Sequence, residues 1–484
     1  MKCYLNNNFR RIFEPRELPA CVLTSDTWDD YGTKCKFHLT YHSEDGNTHE
    51  IGAVKILQKG VLTTIIRESF DDLDDNYISL GQTLEYYENL LRVCGYEDAV
   101  IVLTALRDIA WRPQLAEPFE PTGAFRNAIL RANTAYKARR FGQAIIESRE
   151  FDESFSFHYV TDIPGADEPV DTYIDFDDND LVPGRIVGII GRNAVGKTQY
   201  LAKLAGDLVQ IKRTSREKTI EREVKFRGQR PIFNRVITIS YSAFDKFSRP
   251  VSKQVSYVYC GIRNEKGGLS RQHLVETYKN NLFRVREYGR EREWIQSMQD
   301  ILGDQSEALR HHLSTEIETD QVDDLGLSLL SSGQSILAHF VTSLLAWVEP
   351  TSIILFDEPE THLHPNAVAS MFNILNKILE DHESFAIIAT HSPVVIQEIP
   401  AKRVLMFTRE GNVTIADSLT IETLGENISE LTRHVFETIE IPNHYKQVLR
   451  RLSRRRSFED VMELFEGKLS INAQSYLLSF YGDD

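Results

Sequence analysis

Cysteine is scarce, with five in 484 residues at Cys3, Cys21, Cys35, Cys94 and Cys260. Their odd number and scattered spacing argue against a disulfide scaffold or a zinc site and suit a reducing cytoplasm. Long apolar runs are also missing. No stretch approaches the ~20 residues that cross a bilayer, so no membrane partner is expected. The opening Met1-Lys2-Cys3-Tyr4-Leu5-Asn6-Asn7-Asn8 has no apolar core, so no secretory leader is expected either. Basic residues are in deficit, 55 Lys and Arg against 71 Asp and Glu, for a net charge of −16. That balance opposes general coating of nucleic acid, although a local basic patch could still bind it. Neither an internal repeat nor a low-complexity tract is found. What remains is ordinary globular composition, 42% hydrophobic and 26% charged, at a length that predicts two or three domains.

The strongest signal is Gly191-Arg192-Asn193-Ala194-Val195-Gly196-Lys197-Thr198. It follows the apolar run Ile186–Ile190 and leads into Gln199-Tyr200-Leu201-Ala202-Lys203-Leu204, which has a helical pattern. Strand, glycine-bounded loop with Gly-Lys-Thr, then helix is the setting a phosphate-binding loop requires. Glycines let backbone N–H groups turn inward around phosphate oxygens, and the helix N-terminus adds its positive end. Lys197 supplies a charge for the β- and γ-phosphates, and the Thr198 hydroxyl is a ligand for Mg²⁺. The expected cofactors are therefore ATP and Mg²⁺.

Residues 1–150 carry no catalytic motif and are expected to form an accessory domain. Cys35 to Tyr41 alternates, Glu44-Asp45-Gly46-Asn47 turns, and Ile51 to Leu57 returns, which predicts a β-hairpin. The acidic run Asp71 to Asp75 reads as a solvated helix start, with Leu84, Tyr87 and Leu91 sharing a later helical face. Alternation over Ser154–Val160 and Thr172–Phe176 predicts antiparallel strands ahead of the phosphate loop. Tyr173 and Phe176 could stack on adenine or simply pack in a core. Lys212 to Arg230 is rich in Lys and Arg, either a contact for phosphate backbones or a solvated insertion. Asn234 to Tyr241 is a buried strand, and the region from about 262 to 310 is a helical insertion.

Three further motifs follow in order. Leu330-Ser331-Ser332-Gly333-Gln334 precedes a long apolar helix and aims N–H groups and a hydroxyl at an anion. Ser352 to Glu358 is a buried strand ending in two carboxylates. Asp357 is placed for Mg²⁺, and Glu358 for polarising an attacking water. Phe385 to Ala389 is another buried strand, ending in Thr390-His391-Ser392-Pro393, where His391 can reach a γ-phosphate. His362 and His364 mimic a metal spacing but lack a third ligand, and an interface loop is favoured over zinc.

Together these motifs resemble the ABC ATPase class, an α/β fold with an ABC-type phosphate-loop domain. The runs Asp357-Glu358-Pro359-Glu360-Thr361-His362-Leu363-His364-Pro365 and Ala389-Thr390-His391-Ser392-Pro393 are similar to its soluble SMC/OLD-like branch. That branch includes the ATPase subunits of anti-phage systems such as Septu (PtuA), also found beside retrons. The resemblance covers roughly residues 151–440. It implies phosphate-loop roles for Lys197 and Thr198, a Mg²⁺ role for Asp357, a catalytic base in Glu358 and a γ-phosphate sensor in His391. Gly191, Asn193, Ala194, Val195, Gly196 and Gln199 complete the nucleotide-binding set. Ser331, Ser332, Gly333 and Gln334 would contact ATP held by a second subunit, so a homodimer or higher oligomer is implied. One departure is visible: the family usually has a glutamine after the strand ending near Tyr241, where Ser242-Ala243-Phe244-Asp245 stands here. Asp245 is the expected substitute at Mg²⁺ or its water.

The implied architecture is an accessory domain over 1–150, the ATPase domain over 151–420 and a helical tail over 421–484. The tail is too short for a Toprim nuclease and carries a basic cluster, Lys446, Arg450, Arg451, Arg454, Arg455 and Arg456. It suits nucleic acid, an acidic partner or a solvated helix face. The reading is a cytoplasmic ATPase controlling a separate effector, a nuclease of HNH type if Septu-like, in anti-phage defence. The alternatives are a DNA-repair or chromosome-maintenance ATPase, a transporter's energising subunit and a structural assembly factor. The long preamble and the His-Leu-His-Pro loop speak against the transporter.

Overall fold

The computed structural model describes residues 1–7, 13–151, 153–177, 182–242, 245–250, 256–264, 267–268, 271–302, 330–361, 363–435 and 444–481. The chain divides into two units, Met1–Glu426 and Asn427–Asp484. The first holds two large sheets. Strands β1 (Lys2–Asn6), β2 (Ala20–Ser25), β3 (Lys36–His42), β4 (Thr48–Gln58), β5 (Ser69–Phe70) and β6 (Tyr77–Gly81) lie in the order β5-β1-β2-β3-β4-β6. The alternating pattern of Cys35–Tyr41 and Ile51–Leu57 does form an antiparallel hairpin, β3–β4. Helix Leu84–Ala105 buries Tyr86, Tyr87 and Leu90 and, beyond a break at Gly95, Val102 and Leu103. The acidic run does not begin that helix. It turns into β6, because Tyr77–Gly81 pairs with Val54–Gln58 and buries Ile78 and Leu80. Asp75 is held there by Arg107 at 2.8 Å.

The second sheet orders β11 (Tyr257–Tyr259), β10 (Val236–Ser240), β12 (Ile353–Asp357), β13 (Phe385–Thr390), β9 (Ile186–Gly191), β14 (Val404–Glu410) and β15 (Val413–Ser418). All neighbours are parallel except the β14–β15 pair. Strands β9, β10, β12 and β13 are buried along their whole length. Continuous apolar runs are what a parallel sheet covered on both faces demands. Strands β7 (Phe157–Thr161) and β8 (Val170–Ile174) form the expected antiparallel pair beside it. Phe176 is core, whereas Tyr173 is exposed and packs on His158. Because β12, β13 and β9 are neighbours, their carboxyl ends bring the phosphate loop, Asp357 and Thr390 to one sheet edge. Open α/β sheets bind ligands at that edge.

The sheet regions are locked together by Asn133. Its backbone N–H donates to Ser256 Oγ at 2.9 Å, and its amide donates to the Leu208 and Phe233 carbonyls at 3.0 and 2.9 Å. The helical insertion appears as Arg271–Glu287 and Glu291–Leu302; residues 303–310 of that expectation lie outside the described residues. Both helices pack on helix Ser332–Trp347. Trp294 Nε1 donates to Thr342 Oγ1 at 2.8 Å, and Asn281 Nδ2 donates to Ser343 Oγ at 2.9 Å.

The same long helix buries His339, neither of whose ring nitrogens has a hydrogen-bond partner among the described residues. Burial pulls its pKa from 6.5 down to about 4, and His273 pushes the same way. The unfolded chain therefore takes up the extra proton between those values. Stability from this residue is complete above about pH 6.5 and is lost as pH falls through about 4. A loss of up to about 3 kcal/mol is expected. Chemical denaturation between pH ~7 and ~4.5 should show it in the parent and not in His339→Leu. Equal pH slopes in the two proteins would refute it.

The second unit contains helices Ile428–Val435, His444–Ser453, Phe458–Leu464 and Ile471–Leu478 around Leu449, Val461 and Leu477. The amphipathic pattern from 458 to 480 thus folds as two helices, broken where Glu466 and Gly467 take left-handed backbone. The pattern over Thr420–Glu440 yields a helix only from Ile428, and residues 436–440 lie outside the described residues.

Candidate nucleotide site

The site begins where β9 ends. A Cβ at Gly191 would stand 2.4 Å from the Phe407 carbonyl oxygen of the adjoining strand, so only glycine leaves room. Gly196 has φ +103, and a Cβ there would meet Ile163 at 2.4 Å. Ala194 also turns left-handed, with φ +70. These turns deliver the chain into helix Lys197–Leu208 with its first N–H groups open for an anion. Val195 is the exception in the loop: its side chain is buried in the core and holds the loop down.

Lys197 is buried, and its Nζ donates to the Gly191 and Arg192 carbonyls at 2.7 and 3.0 Å. Burial lowers its pKa, while Asp357, Glu358 and Glu360 pull the other way. Thr198 Oγ1 donates to Asp357 Oδ1 at 3.0 Å. Asp357 is wholly buried, and its second oxygen has no hydrogen-bond partner among the described residues. Burial pushes its pKa up to about 7; the Thr198 bond works against this, and the Glu358 charge adds to it. An unsatisfied buried carboxylate oxygen beside a threonine hydroxyl is a donor set suited to a hard, oxygen-loving cation such as Mg²⁺.

Glu358 takes left-handed backbone, φ +51, while its N–H bonds the Ala389 carbonyl of β13 at 2.8 Å. That turn places its carboxylate in the nucleotide cleft, about 480 Å³ in volume. Asn193, Ala194, Gly196, Lys197, Thr198 and Gln199 line the cleft with it. His391 Nδ1 lies 3.8 Å from Glu358 Oε1 and 3.3 Å from Glu360 Oε1. Glu360 was not singled out by its sequence pattern, yet it organises this corner. Its Oε1 accepts from Thr390 Oγ1 at 2.7 Å and from the His391 N–H at 3.2 Å. Lys246, Arg409 and the Ile163-Pro164 turn also line the cleft without having been foreseen. Only the surplus acid of Asp-Glu-Pro-Glu hinted at Glu360, and no local pattern marks the others.

Two expected site groups have partners of their own within this chain. Asp245 is buried and spoken for: Arg249 Nη2 lies 2.5 Å from Oδ1, and Tyr259 OH donates to Oδ2 at 3.0 Å. A buried carboxylate must find such partners; Asp245 is bonded within its own loop, its charge still helps raise the Asp357 pKa, and Ser242 lines the cleft at that strand end. Ser331 and Gln334 form a reciprocal cap on helix Ser332–Trp347. Ser331 Oγ accepts from the Gln334 N–H at 3.3 Å, and Gln334 Oε1 accepts from the Ser331 N–H at 3.0 Å. Ser331 and Ser332 are exposed, and neither they nor Gly333 and Gln334 are among the residues lining this chain's own cleft. His364 caps helix Pro365–Asp381, and His362 lies outside the described residues.

Fold and site define an α/β domain with a phosphate-binding loop and paired acids at a neighbouring strand end. Residues 261–397 match the family described as "AAA domain, putative AbiEii toxin, Type IV TA system". The chain is similar to protein ea59 of Escherichia phage lambda, 27% identical over 504 aligned residues that cover 95% of this chain and 94% of ea59. It is also similar to the lipoprotein-releasing system ATP-binding protein LolD of Buchnera aphidicola. That match is 24% identical over 236 residues, 48% of this chain and 83% of LolD. Among solved structures it is similar to the SMC head domain from Thermotoga maritima, 12% identical with a TM-score of 0.29, over 55% of this chain and 98% of that one.

Proposed function

We propose that this chain is an ATP-gated switch whose two copies enclose ATP and thereby control a separate effector, a nuclease in anti-phage defence. The observation that carries the reading is the division of the site. Lys197, Thr198 and Glu358 line one cleft, with Asp357 bonded to Thr198 behind it, while Ser331–Gln334 open a helix and do not line that cleft. The second group meets a γ-phosphate only when another copy presents it. Within one chain, the loop N–H groups and Lys197 bind phosphate, and Thr198 and Asp357 would hold Mg²⁺, which would supply charge neutralisation. Glu358 takes the proton of the attacking water, and Glu360 positions His391 toward the γ-phosphate. Full-length similarity to a protein of a bacteriophage supports a setting in phage–host conflict.

The test uses the purified chain with phage DNA, plasmid and tRNA, with Mg²⁺ or Mn²⁺, with and without ATP. Self-association on ATP without cleavage is the expected result. Cleavage that survives further purification and vanishes with a point mutation in this chain would replace the regulator by a self-contained nuclease.

A further inference from the structure

A second groove, about 520 Å³, adjoins the nucleotide cleft, and Lys246 lines both. One wall is the helix Arg216–Val224, capped by Ser215, whose Oγ accepts from the Lys218 N–H. Lys218, Arg222 and Lys225 stand at i, i+4 and i+7, so they share one stripe of about 10 Å. All three line the groove, joined by Lys212 and Arg213 from the preceding loop and by Lys246. Six basic residues face only Asp207 and Glu221 there, in a chain whose net charge is −16.

The groove is built by long-range contacts. Asn127 Oδ1 accepts from Gln210 Nε2 at 2.8 Å and from the Thr214 N–H at 2.9 Å, pinning the loop that carries Lys212 and Arg213. Asp207 accepts from Tyr159 OH at 2.6 Å and from Lys225 Nζ at 3.1 Å. Lys212, Arg213, Lys218 and Lys246 have no carboxylate partner among the described residues. Two buried atoms also have no hydrogen-bond partner among the described residues: Arg222 Nε, a donor, and Gln210 Oε1, an acceptor. Their residues are 7% and 6% exposed, and both line the groove. Leaving such atoms unpaired is costly. Arg222 Nη2 lies 3.4 Å from Glu223 Oε1, so its Nε calls for a further acceptor oxygen, and Gln210 Oε1 calls for a donor.

We propose that this groove binds single-stranded nucleic acid, with Lys212, Arg213 and Lys218 holding successive phosphates. A strand offers both missing partners, phosphate oxygens for Arg222 and base or sugar donors for Gln210. Its evenly repeated charge also suits a stripe of cations along one helix face. Free polyphosphate has no donor for Gln210. The proposal goes beyond the ATPase reading and stands without it.

The experiment is a fluorescence-anisotropy titration of the full chain with labelled RNA and DNA strands of about 20 nucleotides, across a salt series. The parent should bind. The variant Lys212→Gln/Arg213→Gln/Lys218→Gln should bind at least about tenfold more weakly, with a log–log salt slope shallower by about 2. Its ATP affinity should be unchanged, and Arg454→Gln/Arg455→Gln should bind the strand like the parent. Should the triple variant not fold, Lys218→Gln alone must still reduce the slope. A parent that binds no strand, or a triple variant that binds like the parent, overturns the proposal. So does loss of binding in the Arg454/Arg455 variant instead. Displacement by inorganic polyphosphate as effective as by a strand assigns the groove to a free phosphate ligand, and displacement by polyglutamate assigns it to an acidic protein.

Discussion

Lys197→Ala is expected to abolish ATP binding. The lysine sits in a buried cradle, its Nζ on the Gly191 and Arg192 carbonyls at 2.7 and 3.0 Å, within electrostatic reach of three carboxylates. An incoming triphosphate brings further negative charge into the same space, so a cation there is indispensable rather than helpful. Truncation removes the buried cation that opposes Asp357, Glu358 and Glu360, leaving only Lys246 and Arg409 at the lining of the cleft. Isothermal titration should show no measurable heat of ATP binding in the variant, against saturable binding in the parent. Unchanged affinity would end the assignment of this loop to phosphate.

Glu358→Gln is expected to separate binding from turnover. The amide keeps the shape of the side chain but cannot take a proton, and loss of a positioned base typically costs roughly 10²- to 10⁴-fold in rate. Binding should persist, because the loop N–H groups, Lys197 and Thr198 are untouched. The ATP-bound dimer should then accumulate and be visible by light scattering on a sizing column. Ser331→Arg should do the opposite, preventing closure by placing bulk and charge against the facing nucleotide. Its own cleft remains intact, since Ser331 does not line it. A variant pair in which both proteins hydrolyse ATP at the parent rate would exclude the composite site.

The phosphate loop, the Asp-Glu strand end and the parallel sheet were legible in the sequence because each is a local pattern. Continuous apolar runs mark β9, β12 and β13, and glycines mark the loop where backbone must approach phosphate or turn left-handed. Asp245 shows the limit of that reasoning. Its distance along the chain from Tyr241 matched a site position, but Arg249 and Tyr259 claim its carboxylate. The acidic run Asp71–Asp75 was misread for a similar reason. Charge near a helix pattern suggests an N-terminus, yet pairing of Tyr77–Gly81 with β4, some twenty residues earlier, decides the backbone there.

By itself, then, the sequence determined the chemistry: a lysine and a threonine after a glycine loop, two acids at one strand end and a histidine at another. Tertiary structure decided what shares a site. Only the order β12-β13-β9 brings residues 198, 357 and 391 to one edge, and only that convergence shows Glu360 bracing His391. It also decided that Ser331 does not line the cleft of its own chain and that Lys246 lines two grooves. The reason is physical. Local patterns follow from backbone geometry and side-chain period, whereas the partners of a buried charge are set by desolvation, which acts on whatever the fold brings near.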